Sequence, residues 1–301
     1  MTMRPLNFHH GKHLLSLLVL SLCINSGELL AASESPVTRT FDIGHAQLNT
    51  LIWGDEAGRE TIIALPGSGG DNSRYQAMGP ILAAAGYRII AVNQRGIMGS
   101  TGELANLTLH DYAADVIAIA DVLEIPKVHL LGWALGNRTS RVVATDYPER
   151  VASISLIAAG GLAQPLTEPG ELGELLGNKE LSTAEKARLA RRTLFSPATD
   201  EALVLDFAAN LQYWNEARAS QTRANRDTPL EQWWAGGTGP MLIVQGLDDK
   251  TAPPANGIRM QAEFGDRITL VNLENAGHLM GVEQPEATAA AIIAFLRKHP
   301  I

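Results

Sequence analysis

The sequence is poor in cysteine, with Cys23 as the single thiol among 301 residues. One cysteine excludes a disulfide framework and a thiolate metal site in the folded domain. No other segment has the pattern of a metal or cofactor motif, so we expect no metal and no cofactor.

The sequence also lacks a cluster of basic residues. Its 24 Lys and Arg residues are scattered, and 32 Asp and Glu residues give a formal net charge of −8. Binding to nucleic acid needs a basic stripe or patch, so we expect no nucleic-acid partner. The apolar fraction of 46% is high enough for a sizeable core.

Apolar runs long enough to suggest a membrane segment are absent after the N-terminus. There, Arg4 and Lys12 precede an apolar run from Leu14 to Ile24, and Ala31-Ala32 offers small residues for cleavage. This pattern predicts a signal peptide over residues 1–32 and a secreted or periplasmic protein, with no stable membrane insertion after its removal. An uncleaved anchor is the alternative, although the run is shorter than the roughly 20 residues that span a bilayer.

From Val37 onward, short apolar runs alternate with segments of helical periodicity. Mostly continuous apolar runs indicate strands covered on both faces, as in a parallel sheet. The alternation predicts an α/β fold with a mostly parallel central sheet flanked by helices. The predicted strands are residues 37–43, 47–53, 61–65, 87–92, 128–131, 151–157, 241–245 and 268–273, and the first two form a hairpin.

Helices are predicted over residues 109–123, 135–147 and 285–296. Residues 163–236 interrupt this rhythm with helical patterns and no strand pattern. Because ordinary loops seldom exceed about 15 residues, we interpret this segment as a helical lid. A small separate helical domain is the alternative. The core domain then comprises residues 33–162 and 237–301.

The most informative segment is residues 131–137, with the sequence LGWALGN. A strand runs into a helix through a tight turn with Gly132 and Gly136 on either side of Ala134. This is the form of a nucleophile elbow, in which the central residue is usually serine. A plain glycine-rich turn between a strand and a helix is the alternative.

Together with four further segments, this turn resembles the α/β-hydrolase family, specifically its lid-bearing members. The order of nucleophile position, acid and histidine along the chain is also that of the family. Pro66 and Asn93 depart from the usual histidine and aspartate of two of these segments. The four segments are residues 64–70 (ALPGSGG), 93–100 (NQRGIMGS), 245–249 (QGLDD) and 276–285 (AGHLMGVEQP).

The resemblance implies a role for each matching residue. His278 is the expected general base, and Asp249 is expected to orient it, with Asp248 as the competing acid. The backbone N–H groups of Ser68 and Leu135 are the expected oxyanion hole. The residues expected to contact the substrate are Trp133, Ser100, Trp214 and Met280.

Ala134 excludes an acyl-enzyme at the elbow, because a methyl group cannot attack a carbonyl. Three explanations remain: non-covalent catalysis by His278 and Asp249, a binding protein that has lost its chemistry, or an engineered inactivation. We disfavour engineering, because the signal peptide is present and the family includes members with alanine in this elbow. A displaced nucleophile at Ser68 or Ser100 is a further alternative.

The sequence therefore predicts an exported protein that acts on a small, largely apolar ester or carbonyl compound without the usual serine. A pseudoenzyme that binds a small hydrophobic ligand is the first alternative, and a lyase or cofactor-free oxygenase is the second. The only partner expected is a small molecule, and the sequence specifies no oligomeric state.

Overall fold

A computed structural model of the chain describes residues 35–301. The predicted signal peptide, residues 1–32, and Cys23 within it lie outside the described residues.

The eight predicted strands are all present, with ends that differ by at most two residues from those expected. The largest difference is the strand that leads into the elbow, which continues to Trp133. The strands are β1 (Val37–Asp42), β2 (Gln47–Trp53), β3 (Thr61–Leu65), β4 (Arg88–Val92), β5 (Val128–Trp133), β6 (Val151–Ile157), β7 (Met241–Gly246) and β8 (Ile268–Leu273).

The strands form one sheet in the order β1-β2-β4-β3-β5-β6-β7-β8. β1 pairs with β2 in antiparallel fashion, as the predicted hairpin requires, and β2 is also antiparallel to β4. All the remaining pairs are parallel. The prediction of a mostly parallel sheet is confirmed.

Helices occupy the connections between the strands. The three predicted helices of the core are confirmed, and four helices lie within residues 163–236, where the sequence showed helical patterns. Three further helices, outside that segment, were not predicted from the sequence. The helices are α1 (Gly79–Ala84), α2 (Leu109–Val122), α3 (Leu135–Asp146), α4 (Glu171–Gly177), α5 (Thr183–Thr193), α6 (Glu201–Ala209), α7 (Asn215–Asp227), α8 (Ala255–Phe264), α9 (Met280–Glu283) and α10 (Pro285–Leu296).

Apolar side chains cover both faces of the sheet. Along β3, Ile62 and Ala64 belong to one buried cluster, whereas Ile63 and Leu65 belong to another. Successive side chains of a strand point to opposite faces, so the two clusters are two cores on either side of the sheet. This explains why the central strands are continuously apolar rather than alternating.

Four helices, α4 to α7, lie between β6 and β7. We call residues 163–236 the helical insertion. It belongs to the same compact unit as the sheet. No helix within residues 35–301 combines the length and the apolarity that crossing a membrane requires.

Candidate active site

The turn between β5 and α3 holds Ala134 in a strained backbone conformation. Its φ is 51° and its ψ is −110°, a region that residues with a side chain rarely adopt. The Ala134 N–H donates to the Ile157 carbonyl at 3.1 Å, and the Ala134 carbonyl accepts from the Asn137 N–H at 3.1 Å. The strand and the helix therefore impose this conformation from both sides.

The two glycines of the turn are required by backbone contacts. A Cβ atom on Gly136 would collide with the Leu65 carbonyl oxygen, and one on Gly132 would collide with the Asn137 backbone. A side chain at either position would separate α3 from the sheet. The segment thus has the local structure of a nucleophile elbow, although its central residue carries only a methyl group.

The His278 ring hydrogen-bonds the Asp249 carboxylate, with Nδ1 at 2.9 Å from Oδ2 and 3.1 Å from Oδ1. Asp249 is 1% exposed, and its Oδ1 accepts backbone N–H groups from Thr251 at 2.9 Å and Ala252 at 2.7 Å. These bonds fix the carboxylate, and the carboxylate in turn fixes the ring. Since Nδ1 faces Asp249, Nε2 is the ring nitrogen available to a molecule in the cavity that His278 lines.

The neighbouring Asp248 has a different partner. Its Oδ2 accepts the Ser196 hydroxyl at 2.6 Å, so of the two candidate acids only Asp249 contacts His278. Asp248 instead ties the loop after β7 to the helical insertion.

Glu283 supports the histidine loop, a role that the sequence analysis missed. Its carboxylate accepts the Gly277 N–H at 2.9 Å, the Ser196 N–H at 2.8 Å and the Thr199 hydroxyl at 2.5 Å. Burial raises the pKa of Glu283 and the nearby Asp249 carboxylate raises it further, against these three donors. The available signal was its position five residues after His278, within the segment that already resembled the family.

Ser68 and Leu135, whose backbone N–H groups are the expected oxyanion hole, both line the cavity beside the elbow. Leu135 is the first residue of α3, where a helix leaves its N–H groups without an intrahelical acceptor. Neither N–H donates to an acceptor within residues 35–301. The geometry suits the binding of a negatively charged oxygen.

The loop that carries Ser68 is held by a polar relay that the sequence analysis also missed. The Gly69 N–H donates to the Gln221 side-chain oxygen at 2.8 Å, and the Gln221 amide donates to Gln94 at 2.7 Å. Gln221 is fully buried in α7. The helical insertion therefore positions the loop as well as covering it.

A cavity of about 450 Å³ lies at this edge of the sheet. Ser68, Trp133, Ala134, Leu135 and His278 all line it, and Asp249 lies behind His278. Much of the remaining wall is apolar and comes from the helical insertion, through Leu172, Leu176, Leu194, Phe207 and Leu211.

Trp133 contributes to the wall and also fixes the histidine loop. Its Nε1 donates to the His278 carbonyl at 2.9 Å, and its ring meets Tyr75 edge-on, with 6.2 Å between centroids. This bond joins the residue next to the elbow directly to the histidine loop.

Three residues expected to contact the substrate do not line the cavity, and their assignment is corrected. Ser100 is buried in its own loop, where its hydroxyl donates to the Asn93 carbonyl at 2.8 Å and accepts the Asn49 N–H at 2.9 Å. Met280 is fully buried in one of the cores. Trp214 immediately precedes α7, outside the cavity wall.

Among the described residues, no other serine occupies the strained turn where the nucleophile of the family stands. Ser100 is held as described, and the Ser140 hydroxyl donates to the Gly136 carbonyl at 2.9 Å inside α3. Ser68 lines the cavity, but it follows β3 in a loop rather than occupying the strained turn. Within residues 35–301, no cluster of three or more His, Cys, Asp or Glu side chains is placed to hold a metal ion.

The order of the sheet and the strained turn between β5 and α3 are those of an α/β hydrolase, and comparison with known families gives the same class. The model of the alpha/beta hydrolase family matches residues 62–291, and the chain belongs to this family.

Among individual proteins, the chain is similar to two bacterial enzymes. It is 29% identical over 278 residues to the dihydrolipoyllysine-residue acetyltransferase component of the acetoin cleaving system of Pseudomonas putida, covering 89% of this chain and 71% of that protein. It is 27% identical over 287 residues to the 2-hydroxy-6-oxo-6-phenylhexa-2,4-dienoate hydrolase of Burkholderia cepacia, covering 88% and 98%. The second name is that of a hydrolase that acts on a small molecule.

Solved structures agree on the fold. A meta-cleavage product hydrolase from Pseudomonas fluorescens superposes with a TM-score of 0.72 at 23% identity, covering 88% of this chain and 99% of that one. A membrane phospholipase A superposes with a TM-score of 0.72 at 23% identity, covering 88% and 86%.

Proposed function

We propose that this protein hydrolyses a small, largely apolar ester or related carbonyl compound without forming a covalent acyl-enzyme. The observation that carries the proposal is the His278–Asp249 pair, which faces the cavity beside a strained elbow whose side chain cannot react. The apolar wall supports an apolar substrate body. We propose that the helical insertion acts as a lid that excludes bulk water.

In this mechanism, a water molecule attacks the substrate directly. His278 accepts a proton from the water at Nε2, and the water oxygen forms a bond to the carbonyl carbon while the carbonyl π electrons move onto oxygen. The Ser68 and Leu135 N–H groups stabilise that oxyanion. When it collapses, the bond to the leaving alkoxide breaks and His278 returns its proton to the alkoxide.

Asp249 acts through the ring. It keeps the Nδ1–H directed towards itself, so that Nε2 is the basic nitrogen, and its charge stabilises the imidazolium that forms. The Ala134 methyl leaves room for the water where a serine hydroxyl would otherwise stand.

The first test is turnover of short-chain p-nitrophenyl esters by the wild-type protein. We expect slow turnover that His278→Ala lowers by a factor of about 10² to 10⁴, the usual contribution of a general base. The matched control is His110→Ala, which removes a histidine outside the cavity and leaves turnover unchanged. Equal turnover by His278→Ala and the wild type would contradict the proposal.

The second test asks whether the rest of the site is arranged for the chemistry of the family. A fluorophosphonate probe should not label the wild type, whereas Ala134→Ser should become labelled because its hydroxyl would join an intact histidine and acid. Labelling of the wild type would reveal a displaced serine. Loss of that labelling in Ser68→Ala or in Ser100→Ala would identify which serine reacts.

A binding protein without turnover is the second candidate, and Ala134 itself favours it. The two functions differ in one outcome. A pseudoenzyme binds esters and is stabilised by them against heat, yet leaves them intact even at high protein concentration.

A further inference from the structure

The charged residues of the cavity wall are all basic. Three arginines, Arg74, Arg138 and Arg218, line the cavity, and no aspartate or glutamate among the described residues lines it with them. This is opposite in sign to the chain as a whole, which carries a net charge of −8. A cationic cavity in an acidic protein calls for a specific explanation.

Arg218 lies on the face of α7 that lines the cavity. Thr222 and Asn225 follow it at the spacing of successive helical turns and line the same wall. The Arg218 Nε is buried and has no hydrogen-bond partner in the described part of the chain. Burial lowers the pKa of Arg218, with no carboxylate near enough to raise it.

Arg138 lies one turn after the elbow, in the first part of α3. Its guanidinium donates to the Asn225 side-chain oxygen at 2.5 Å and lies 5.2 Å from the Trp233 ring centroid. Burial lowers the pKa of Arg138 as well, again without an opposing carboxylate. Asn225 thus joins the two arginine-bearing elements at one wall of the cavity.

Arg74 differs from these two, because its charge is partly balanced. The Asp71 carboxylate lies near enough to raise the pKa of Arg74 against the effect of burial. Its guanidinium also stacks on Phe207, 4.6 Å from the ring centroid.

An arginine with a structural role has protein acceptors for its guanidinium N–H groups, and Arg141 is an example. This fully buried side chain donates to the Asn137 side chain and the Gly160 carbonyl, each at 2.7 Å, and lies over Trp233 at 4.6 Å. Its position is defined without any ligand. Arg218 is half-buried, and its buried Nε has no such acceptor among the described residues, although burying part of a charged group is costly unless a partner compensates.

We infer that Arg138 and Arg218 form an anion subsite, and that the molecule bound here is a small apolar compound that carries a carboxylate. The planar guanidinium matches the geometry of a carboxylate, and the leucine-rich wall provides for the apolar body. The inference that the substrate carries a carboxylate rests on the proposed function. The inference that the cavity binds a carboxylate does not depend on it.

The test compares two probes of equal size and shape in the full chain. Isothermal titration calorimetry measures the affinity of 4-phenylbutyrate and of the neutral 4-phenylbutanamide. We expect the carboxylate to bind about tenfold more tightly or better, and Arg138→Gln or Arg218→Gln to remove that preference. Arg223→Gln is the matched control, because Arg223 is an exposed residue of the same helix and does not line the cavity.

Binding of the amide by each variant shows that the variant is folded. Equal affinity of the wild type for the two probes would overturn the inference, as would an unchanged preference in the double variant Arg138→Gln/Arg218→Gln. His278→Ala should lower ester turnover by the factor given above and keep the carboxylate preference. Failure of the hydrolytic proposal and failure of the subsite are therefore separate results.

Discussion

At the scale of single residues, the elbow presents a strained backbone without the side chain that such strain usually positions. A non-glycine residue in a sparsely populated conformation costs about 1–3 kcal/mol, which the surrounding structure must offset. At Ala134 that offset comes from β5, β6 and α3, through the two backbone hydrogen bonds of the turn. The arrangement that would present a nucleophile is intact although the nucleophile is absent.

This strain leads to a prediction of increased stability on removing a methyl group. Ala134→Gly relieves the strain at a φ of 51°, while glycine adds about 0.4–1 kcal/mol of entropy to the unfolded chain. We expect a net gain of about 1 kcal/mol in the free energy of unfolding, measured by urea denaturation.

The control for this change is Ala290→Gly, on the exposed side of α10. Glycine in a helix interior should lower stability by about 1 kcal/mol. If both variants lose stability equally, Ala134 is not strained in solution.

The glycine that follows the elbow gives a second prediction at this scale. A Cβ atom on Gly136 would collide with the Leu65 backbone, which cannot move without displacing β3 from the sheet. We expect Gly136→Ala to destabilise the protein by about 3 kcal/mol or more, measured by thermal unfolding.

Gly173 provides the contrast, because it lies in α4 with no atom within 4 Å of an added Cβ. Gly173→Ala should therefore raise stability by about 0.5–1 kcal/mol. Near-native stability of Gly136→Ala would mean that α3 packs less closely against β3 than described.

At the scale of elements, His110 joins α2 to the end of α3. Its Nδ1 lies 2.6 Å from the Asp146 carboxylate and its Nε2 lies 2.9 Å from the Gln232 side-chain oxygen. Only the protonated ring can donate to both, and the bond to Asp146 is the main cause that raises the pKa of His110. Protonation therefore strengthens the contact between the two helices.

The sign of the pH dependence follows from that raised pKa. The stabilisation by His110 is fully present below about pH 6.5, the ordinary pKa of histidine, and is lost as the pH rises through the higher value of the folded state. We expect His110→Gln to lower the free energy of unfolding more at pH 6 than at pH 8.5, by urea denaturation at both values. Asp146→Asn should remove the same pH-dependent stabilisation. If His110→Gln lowers the free energy of unfolding equally at both pH values, protonation of His110 does not contribute to stability.

The elements also differ in how well the sequence predicts them. The central strands β3 to β7 were predictable because both of their faces are buried, which leaves continuous apolar runs such as that of β3. α1 begins at Gly79-Pro80 and has only six residues, too few to establish a helical period. α9 is a single turn after the histidine, and its burial in a core explains why Met280 does not reach the cavity.

The site was predictable where its chemistry depends on chain order and not where it depends on packing. The pairing of Asp249 with His278 was expected from the resemblance of residues 245–249 and 276–285 to the family. The role of Gln221 depends on contacts across the helical insertion, and no local pattern marks it. Glu283 lies in the segment that resembles the family, but its contacts with Ser196 and Thr199 of the insertion are not visible in the sequence. The same holds for Arg218, which the sequence alone does not distinguish from the exposed Arg223 on the same helix.

At the scale of the whole molecule, the sheet and the helical insertion have separate tasks. The sheet brings together the elbow, the histidine loop and the acid, because the parallel strands β3, β5, β7 and β8 end at the same edge. The helical insertion supplies most of the apolar wall and one of the two arginines of the anion subsite. Changes in the insertion can therefore alter the choice of substrate without altering the arrangement of Ala134, His278 and Asp249.

We propose that the molecule works outside the cytoplasm, on the ground that the sequence of residues 1–32 has the pattern expected of a signal peptide. Expression of the full chain in a bacterial host should give a periplasmic protein whose mass corresponds to a start near residue 33, by mass spectrometry of the fractions. The double variant Leu17→Arg/Leu20→Arg places charges in the apolar run and should keep the unprocessed chain in the cytoplasm. Full-length wild-type chain in the membrane fraction would instead identify an uncleaved anchor, and full-length wild-type chain in the cytoplasm would refute export.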